Sequence, residues 1–120
     1  MIEVRNVTKR YGEKAVVDNV SLTVRKGEIT SLIGPNGAGK STLLSMMSRL
    51  LKRDDGEITV DGQEVLAVKS DELAKKLAIL RQENHISVRL TVRDLVSFGR
   101  FPYSRGRLTR EDWKHVDRAI

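Results

Sequence analysis

Gly34-Pro35-Asn36-Gly37-Ala38-Gly39-Lys40-Ser41 satisfies the pattern G-x-x-x-x-G-K-[ST] at every position. Ahead of it, Ile29-Thr30-Ser31-Leu32-Ile33 is short and β-branched, which predicts a buried strand. Behind it, Leu43, Leu44, Met46, Met47, Leu50 and Leu51 recur at helical spacing and predict an amphipathic helix. Strand, glycine-rich loop and helix together form an anion cradle. Small residues let backbone N–H groups turn inward and approach phosphate oxygens without steric blockade. The helix N-terminus adds unpaired donors and partial positive charge. Lys40 would then reach the β- and γ-phosphates of a nucleotide, and the Ser41 hydroxyl would ligate Mg²⁺. A chance glycine-rich turn with a solvated lysine would account for the residues singly but not for pattern and setting together. Kinases, GTPases, helicases and transport ATPases share this loop, so it leaves the reaction open.

Working outward, Ile2, Val4 and Val7 open one strand, and Val20, Leu22 and Val24 alternate with polar neighbours in another. Asp61-Gly62 stands between Ile58-Thr59-Val60 and Gln63-Glu64-Val65, which predicts a hairpin, since a type I′ turn requires positive φ. Arg49, Lys52 and Arg53 fall where they would complement the C-terminal dipole of the helix after the loop. Ser70-Asp71-Glu72 predicts a helix start, and Leu77 to Leu80 a strand leading into Arg81-Gln82. Thr91-Val92-Arg93-Asp94 and Thr109-Arg110-Glu111-Asp112 both fit the capping-box pattern, with Phe101 to Gly106 a loop between two helices. The expected division is a mixed α/β core over residues 1–82 and a helical part over 83–120.

Composition narrows the class. The chain has 120 residues, 39% hydrophobic and 32% charged, in the range of a globular domain. Its formal charge is +6, with most of the excess in residues 81–120. Net charge of this size is compatible with a solvated face as readily as with an anionic partner. The absence of cysteine excludes disulfides and thiolate metal sites. The charged, alternating start Met1-Ile2-Glu3-Val4-Arg5 is neither a signal peptide nor a membrane span, so a membrane link is expected only through a partner. His85 and His115 lack partners at metal-ligand spacing and read as solvated.

The run Leu32-Ile33-Gly34-Pro35-Asn36-Gly37-Ala38-Gly39-Lys40-Ser41-Thr42-Leu43-Leu44 closely resembles the Walker A segment of ABC transporter ATPases. The Pro-Asn-Gly-Ala filling is more specific than the bare pattern. Two further residues fall at the family's expected places. Tyr11, in Lys9-Arg10-Tyr11-Gly12, resembles the aromatic residue that stacks on adenine; alone it would read as a tyrosine covering a sheet edge. Gln82 resembles the Q-loop glutamine, whose neutral amide contacts Mg²⁺ and the attacking water; alone it would read as a loop residue. Leu90-Thr91-Val92-Arg93-Asp94-Leu95-Val96 with Gly99-Arg100-Phe101-Pro102-Tyr103 is similar to ATPases that drive import of iron–siderophore, haem and vitamin B12 complexes. Arg81 departs from the proline that many relatives carry before the glutamine.

The resemblance implies an α/β fold: a P-loop NTPase core with an antiparallel β part and the start of a helical subdomain. It implies Lys40 and Gln82 as catalytic residues and Ser41 and Gln82 as Mg²⁺ ligands. Tyr11, Gly34, Asn36, Gly37, Ala38, Gly39, Lys40, Ser41 and Thr42 would contact ATP. It implies a second ATPase subunit, integral membrane permeases, indirectly a substrate-binding protein, no nucleic acid, and a place on the cytoplasmic face of the cell membrane. No Leu-Ser-Gly-Gly-Gln signature, second acidic strand end or switch histidine occurs in these 120 residues. The expectation is therefore the front half of the family's domain, binding nucleotide with little turnover of its own and prone to self-association through open sheet edges. A soluble ABC protein of translation or DNA repair, a small P-loop kinase with its acceptor site in the basic tail, and a non-catalytic binding module are the alternatives.

Overall fold

The computed structural model describes residues 1–80 and 89–120, in two units, Met1–Lys69 and Ser70–Ile120.

In the first unit, β1 (Ile2–Tyr11) and β2 (Lys14–Val24) form a long antiparallel ribbon. β3 (Asp55–Val60) pairs with the other edge of β1, and β4 (Gln63–Glu64) with β3, giving the order β2-β1-β3-β4. Val4, Val7, Val17, Ile58 and Val60 face inward and are buried. Burying each such side chain is worth about 1.5–3 kcal/mol. The ribbon is irregular at Asn6 and Asn19, both at φ 50. Asparagine tolerates that left-handed backbone better than a branched residue. The displaced N–H groups stay satisfied: Asn6 N–H donates to Ser21 Oγ at 2.8 Å, and Asn19 N–H to Thr8 Oγ1 at 3.0 Å. Asp61 at φ 50 and Gly62 at φ 80 make the expected turn between β3 and β4.

α1 (Lys40–Met47) buries Leu43, Met46 and Met47. It stops before Leu50 and Leu51, earlier than the apolar spacing predicts. Ser48 Oγ donates to the Leu44 carbonyl at 2.9 Å, and Arg49 turns to φ 63, which ends the helix. Two of the three cations expected at its dipole end, Arg49 and Arg53, serve elsewhere. Arg49 donates to the carbonyls of Val65 and Val68, and Arg53 pairs with Glu64 at 2.6 Å, so they fasten the segment around the β3–β4 hairpin.

Residues 29–33, expected as a buried strand, belong to no strand. Ile29 is 98% and Ile33 94% exposed. The sequence has strand propensity, but among the described residues the segment pairs with no strand of the sheet, so no ladder satisfies its backbone groups. Residues 77–80 likewise form no strand, and Leu80 is exposed.

The second unit holds α2 (Ser70–Ala74), α3 (Val92–Ser97), a 3₁₀ turn Phe98–Arg100, α4 (Phe101–Ser104) and α5 (Arg110–Ala119). Thr109 caps α5 with a complete capping box: its side chain accepts from Asp112 N–H, and the Asp112 carboxylate accepts from Thr109 N–H at 2.8 Å. Thr91 supplies the first half of that device to α3, accepting from Asp94 N–H at 3.0 Å. Arg100 Nε donates to the buried Asp112 at 2.9 Å, tying the 3₁₀ turn to α5 beside buried Val116. The loop expected at 101–106 is instead helical to Ser104. Pro102 sits in the first turn, where its missing N–H costs nothing, and Arg105 at φ 51 ends the helix. Among the described residues, no helix is long and apolar enough to cross a membrane.

Candidate functional site

The eight residues from Gly34 to Ser41 form a tight turn feeding α1. Ala38 N–H donates to the Pro35 carbonyl at 3.1 Å, and Leu43 N–H to the Gly39 carbonyl at 2.9 Å, the first bond of the helix. Gly37 and Gly39 have φ 87 and 91, a backbone that side chains with a Cβ rarely adopt. Gly39 is also sterically required: a Cβ there would lie 2.6 Å from the Val16 carbonyl oxygen. The helix end is open to an anion. Gly39 offers no side-chain cap and no acidic residue occupies the first turn, so the leading N–H groups of α1 have no helical or side-chain cap partner.

Lys40 is half-buried and its ammonium group donates to the carbonyls of Gly34 and Pro35, the latter at 3.2 Å. This folds the cation over the loop that carries it. Asn36, Ala38 and Ser41 are exposed, and Thr42 is half-buried. A hollow of about 230 Å³ lies between the loop and β2, lined in part by Val16, Val17, Leu32, Ala38, Lys40 and Leu43. Its walls are mostly apolar and desolvate rather than bind charge, so anion chemistry falls to the loop amides and Lys40.

Tyr11 ends β1 with half its surface exposed. Strand register relates it to the loop: Gly39 abuts Val16, whose neighbours Val17 and Ala15 pair with Lys9 and Arg10, and Tyr11 follows. The Lys9 ammonium lies 5.4 Å from the centre of the Tyr11 ring. Gln82 and His85 lie outside the described residues. His115 is exposed on α5. Among the described residues no three His, Cys, Asp or Glu side chains converge as a metal site. Sequence reading missed Val16 and Asp54. Val16 matters through a backbone oxygen, and Asp54 through strand register, neither of which leaves a motif.

The family model described as ABC transporter matches residues 17–120. The chain belongs to the ABC transporter family. Within it, the chain is 66% identical, over its whole length, to the petrobactin import ATP-binding protein YclP of Bacillus subtilis (strain 168), covering 48% of that protein. It is 57% identical, again over its whole length, to the petrobactin import ATP-binding protein FatE of Bacillus anthracis, covering 48% of it. Among solved structures, the ATP-binding cassette MJ0796, described as dimeric, post-hydrolysis and bound to ADP and Pi, is 32% identical with a TM-score of 0.76, over 98% of this chain and 55% of that one. The fold is that of an ABC ATPase nucleotide-binding domain, of which the described elements form the N-terminal part. The chain spans about half the length of the curated relatives it matches.

Proposed function

We propose that the protein is the ATP-binding and ATP-hydrolysing subunit of an ABC importer, with iron–siderophore complexes as cargo. The observation that carries the reading is the uncapped start of α1, preceded by Gly37 and Gly39 at positive φ and carrying Lys40 as its first residue. The cargo class is supported by the petrobactin import relatives at 66% and 57% identity.

The described residues fit a magnesium nucleotide. The uncapped donors that lead α1, at Lys40, Ser41 and Thr42, suit phosphate oxygens, and the exposed Ser41 hydroxyl is a hard oxygen ligand one residue after the cation. Mg²⁺, when bound, offsets charge on the transferring phosphoryl group. Lys40 would leave the carbonyls of Gly34 and Pro35 for the β- and γ-phosphates, trading two neutral acceptors for charged ones. Thr42 and the Gly34–Gly39 backbone would complete the phosphate contacts. Tyr11 would stack on adenine from the strand end. Gln82 would orient the attacking water and couple the site to its partners.

Those partners would be a second ATPase subunit and integral membrane permeases, with a substrate-binding protein acting indirectly, on the cytoplasmic face of the membrane. The dimeric state named for the MJ0796 cassette supports the subunit pairing. Residues 1–82 would serve as the nucleotide-binding core and 83–120 as the beginning of the helical subdomain. Purification of the tagged protein from detergent-solubilised membranes tests the assignment. Co-purification of an integral membrane permease is expected. Recovery with nucleic acid and no membrane protein would place it among soluble ABC proteins instead.

A further inference from the structure

The geometry points to Asp54 as the positioning residue that holds Tyr11 in place for a flat base. This rests on the reading of Tyr11 as the adenine-stacking residue and extends it to the group that sets the ring.

β1 outruns its neighbour. Its pairing with β3 ends at Thr8–Asp55, while β1 continues to Tyr11, paired on that stretch only with β2. Beyond Thr8, β1 needs another partner on the β3 side, and Asp54 supplies it. Asp54 N–H donates to the Thr8 carbonyl at 2.9 Å, and Asp54 Oδ2 accepts from Arg10 N–H at 2.7 Å. One residue thereby carries β1 past the end of β3 and fixes the backbone immediately before Tyr11. The other carboxylate oxygen lies 3.6 Å from the Lys9 ammonium, which is mostly buried and stands over the Tyr11 ring. Lys9 is thus held between a carboxylate and an aromatic face. A cation on one face engages that side of the ring and leaves the opposite face for stacking. Charge-assisted bonds to backbone N–H are among the stronger ones a carboxylate makes, and the Arg10 N–H bond is the main influence holding the Asp54 carboxyl below its ordinary range.

The arrangement acts on the base and not on the phosphates, which gives a selective test. Binding of ATP and of inorganic tripolyphosphate to the full 120-residue chain is measured by calorimetry for the wild type, Asp54→Ala, Asp54→Asn, Tyr11→Ala and the Asp54→Ala/Tyr11→Ala double variant. Stacking of one base is worth roughly a five- to hundredfold affinity change, of which Asp54→Ala should forfeit at least about threefold for ATP and none for tripolyphosphate. Asp54→Asn keeps an oxygen for Arg10 N–H and should recover part of the loss. The double variant should bind ATP no worse than Tyr11→Ala. Equal weakening of both ligands by Asp54→Ala, or an additive double variant, would make Asp54 a general structural residue and overturn the inference. An Asp54→Ala chain that binds ATP as the wild type does, while Tyr11→Ala binds weakly, would overturn it and leave stacking intact. Unchanged ATP affinity in Tyr11→Ala would remove the stacking reading itself.

Discussion

Gly39 presses its α-carbon against the backbone of Val16, leaving no room for a methyl group: a Cβ would sit 2.6 Å from the Val16 oxygen and 3.3 Å from a Val17 methyl. Gly37, at nearly the same φ, faces open space. The two glycines of the loop therefore do different work. One allows a backbone conformation, while the other also lets the loop seat on β2.

Alanine substitution should separate these roles. Gly37→Ala should cost about 1 kcal/mol of backbone strain, while Gly39→Ala should cost about 2–3 kcal/mol and displace the loop from β2. Urea unfolding of the two variants measures the difference. Equal costs would mean that Gly39 and Val16 are not in contact.

In the second unit, Thr109→Ala removes the acceptor for Asp112 N–H at the start of α5. A loss of about 0.5–2 kcal/mol is expected, since an N-cap hydroxyl is replaced by a methyl. Thermal denaturation followed at 222 nm (a wavelength set by the helix signal) reports it. The exposed Thr91 caps a shorter helix without the reciprocal bond, and its replacement should cost less.

Acid should loosen the same unit. The Thr109 N–H bond holds the Asp112 carboxyl below its ordinary range against the upward push of burial, with Arg100 adding to the lowering. A carboxyl with a lower pKa folded than unfolded stabilises the fold above the unfolded value, and that contribution disappears as pH falls through the folded one. Stability measured from neutral pH downward should decline below the ordinary carboxylate range, and Asp112→Asn should flatten that decline. An unchanged slope would show that the charge of Asp112 is not what the fold retains.

Ile29 and Ile33 present almost their whole surface to solvent. Replacing both with threonine should leave unfolding stability within about 0.5 kcal/mol, the usual range for surface substitutions, and reduce self-association in light scattering. A large destabilisation would show that these side chains are packed in solution.

The loop, α1, the hairpin at Asp61-Gly62 and the α5 cap were legible because each rests on local chemistry: glycines where φ is positive, Asp61-Gly62 between short strands, Thr109 three residues before Asp112. The extent of α1 was not, because apolar spacing at Leu50 and Leu51 continues past the point where Ser48 and Arg49 turn the backbone. The strand expected at Ile29–Ile33 failed for a tertiary reason, since β-branched propensity makes a strand only where another strand accepts its hydrogen bonds. The helix at Phe101–Ser104 was hidden by Pro102, which signals a loop in general but is tolerated in a first turn. In the site, the residues proposed to contact phosphate follow a motif, whereas the contact of Gly39 with Val16 and of Asp54 with Arg10 depends on which strands meet.

On the proposed function, loop amides and the Lys40 ammonium together hold a triphosphate. Its most direct test is a titration of the wild type and Lys40→Ala with a fluorescent ATP analogue in Mg²⁺ buffer, with circular dichroism confirming that both are folded. Saturable binding by the wild type and a roughly 10- to 100-fold weaker variant are expected, the worth of a charge-assisted bond to phosphate. Equal affinity of the two proteins would contradict it.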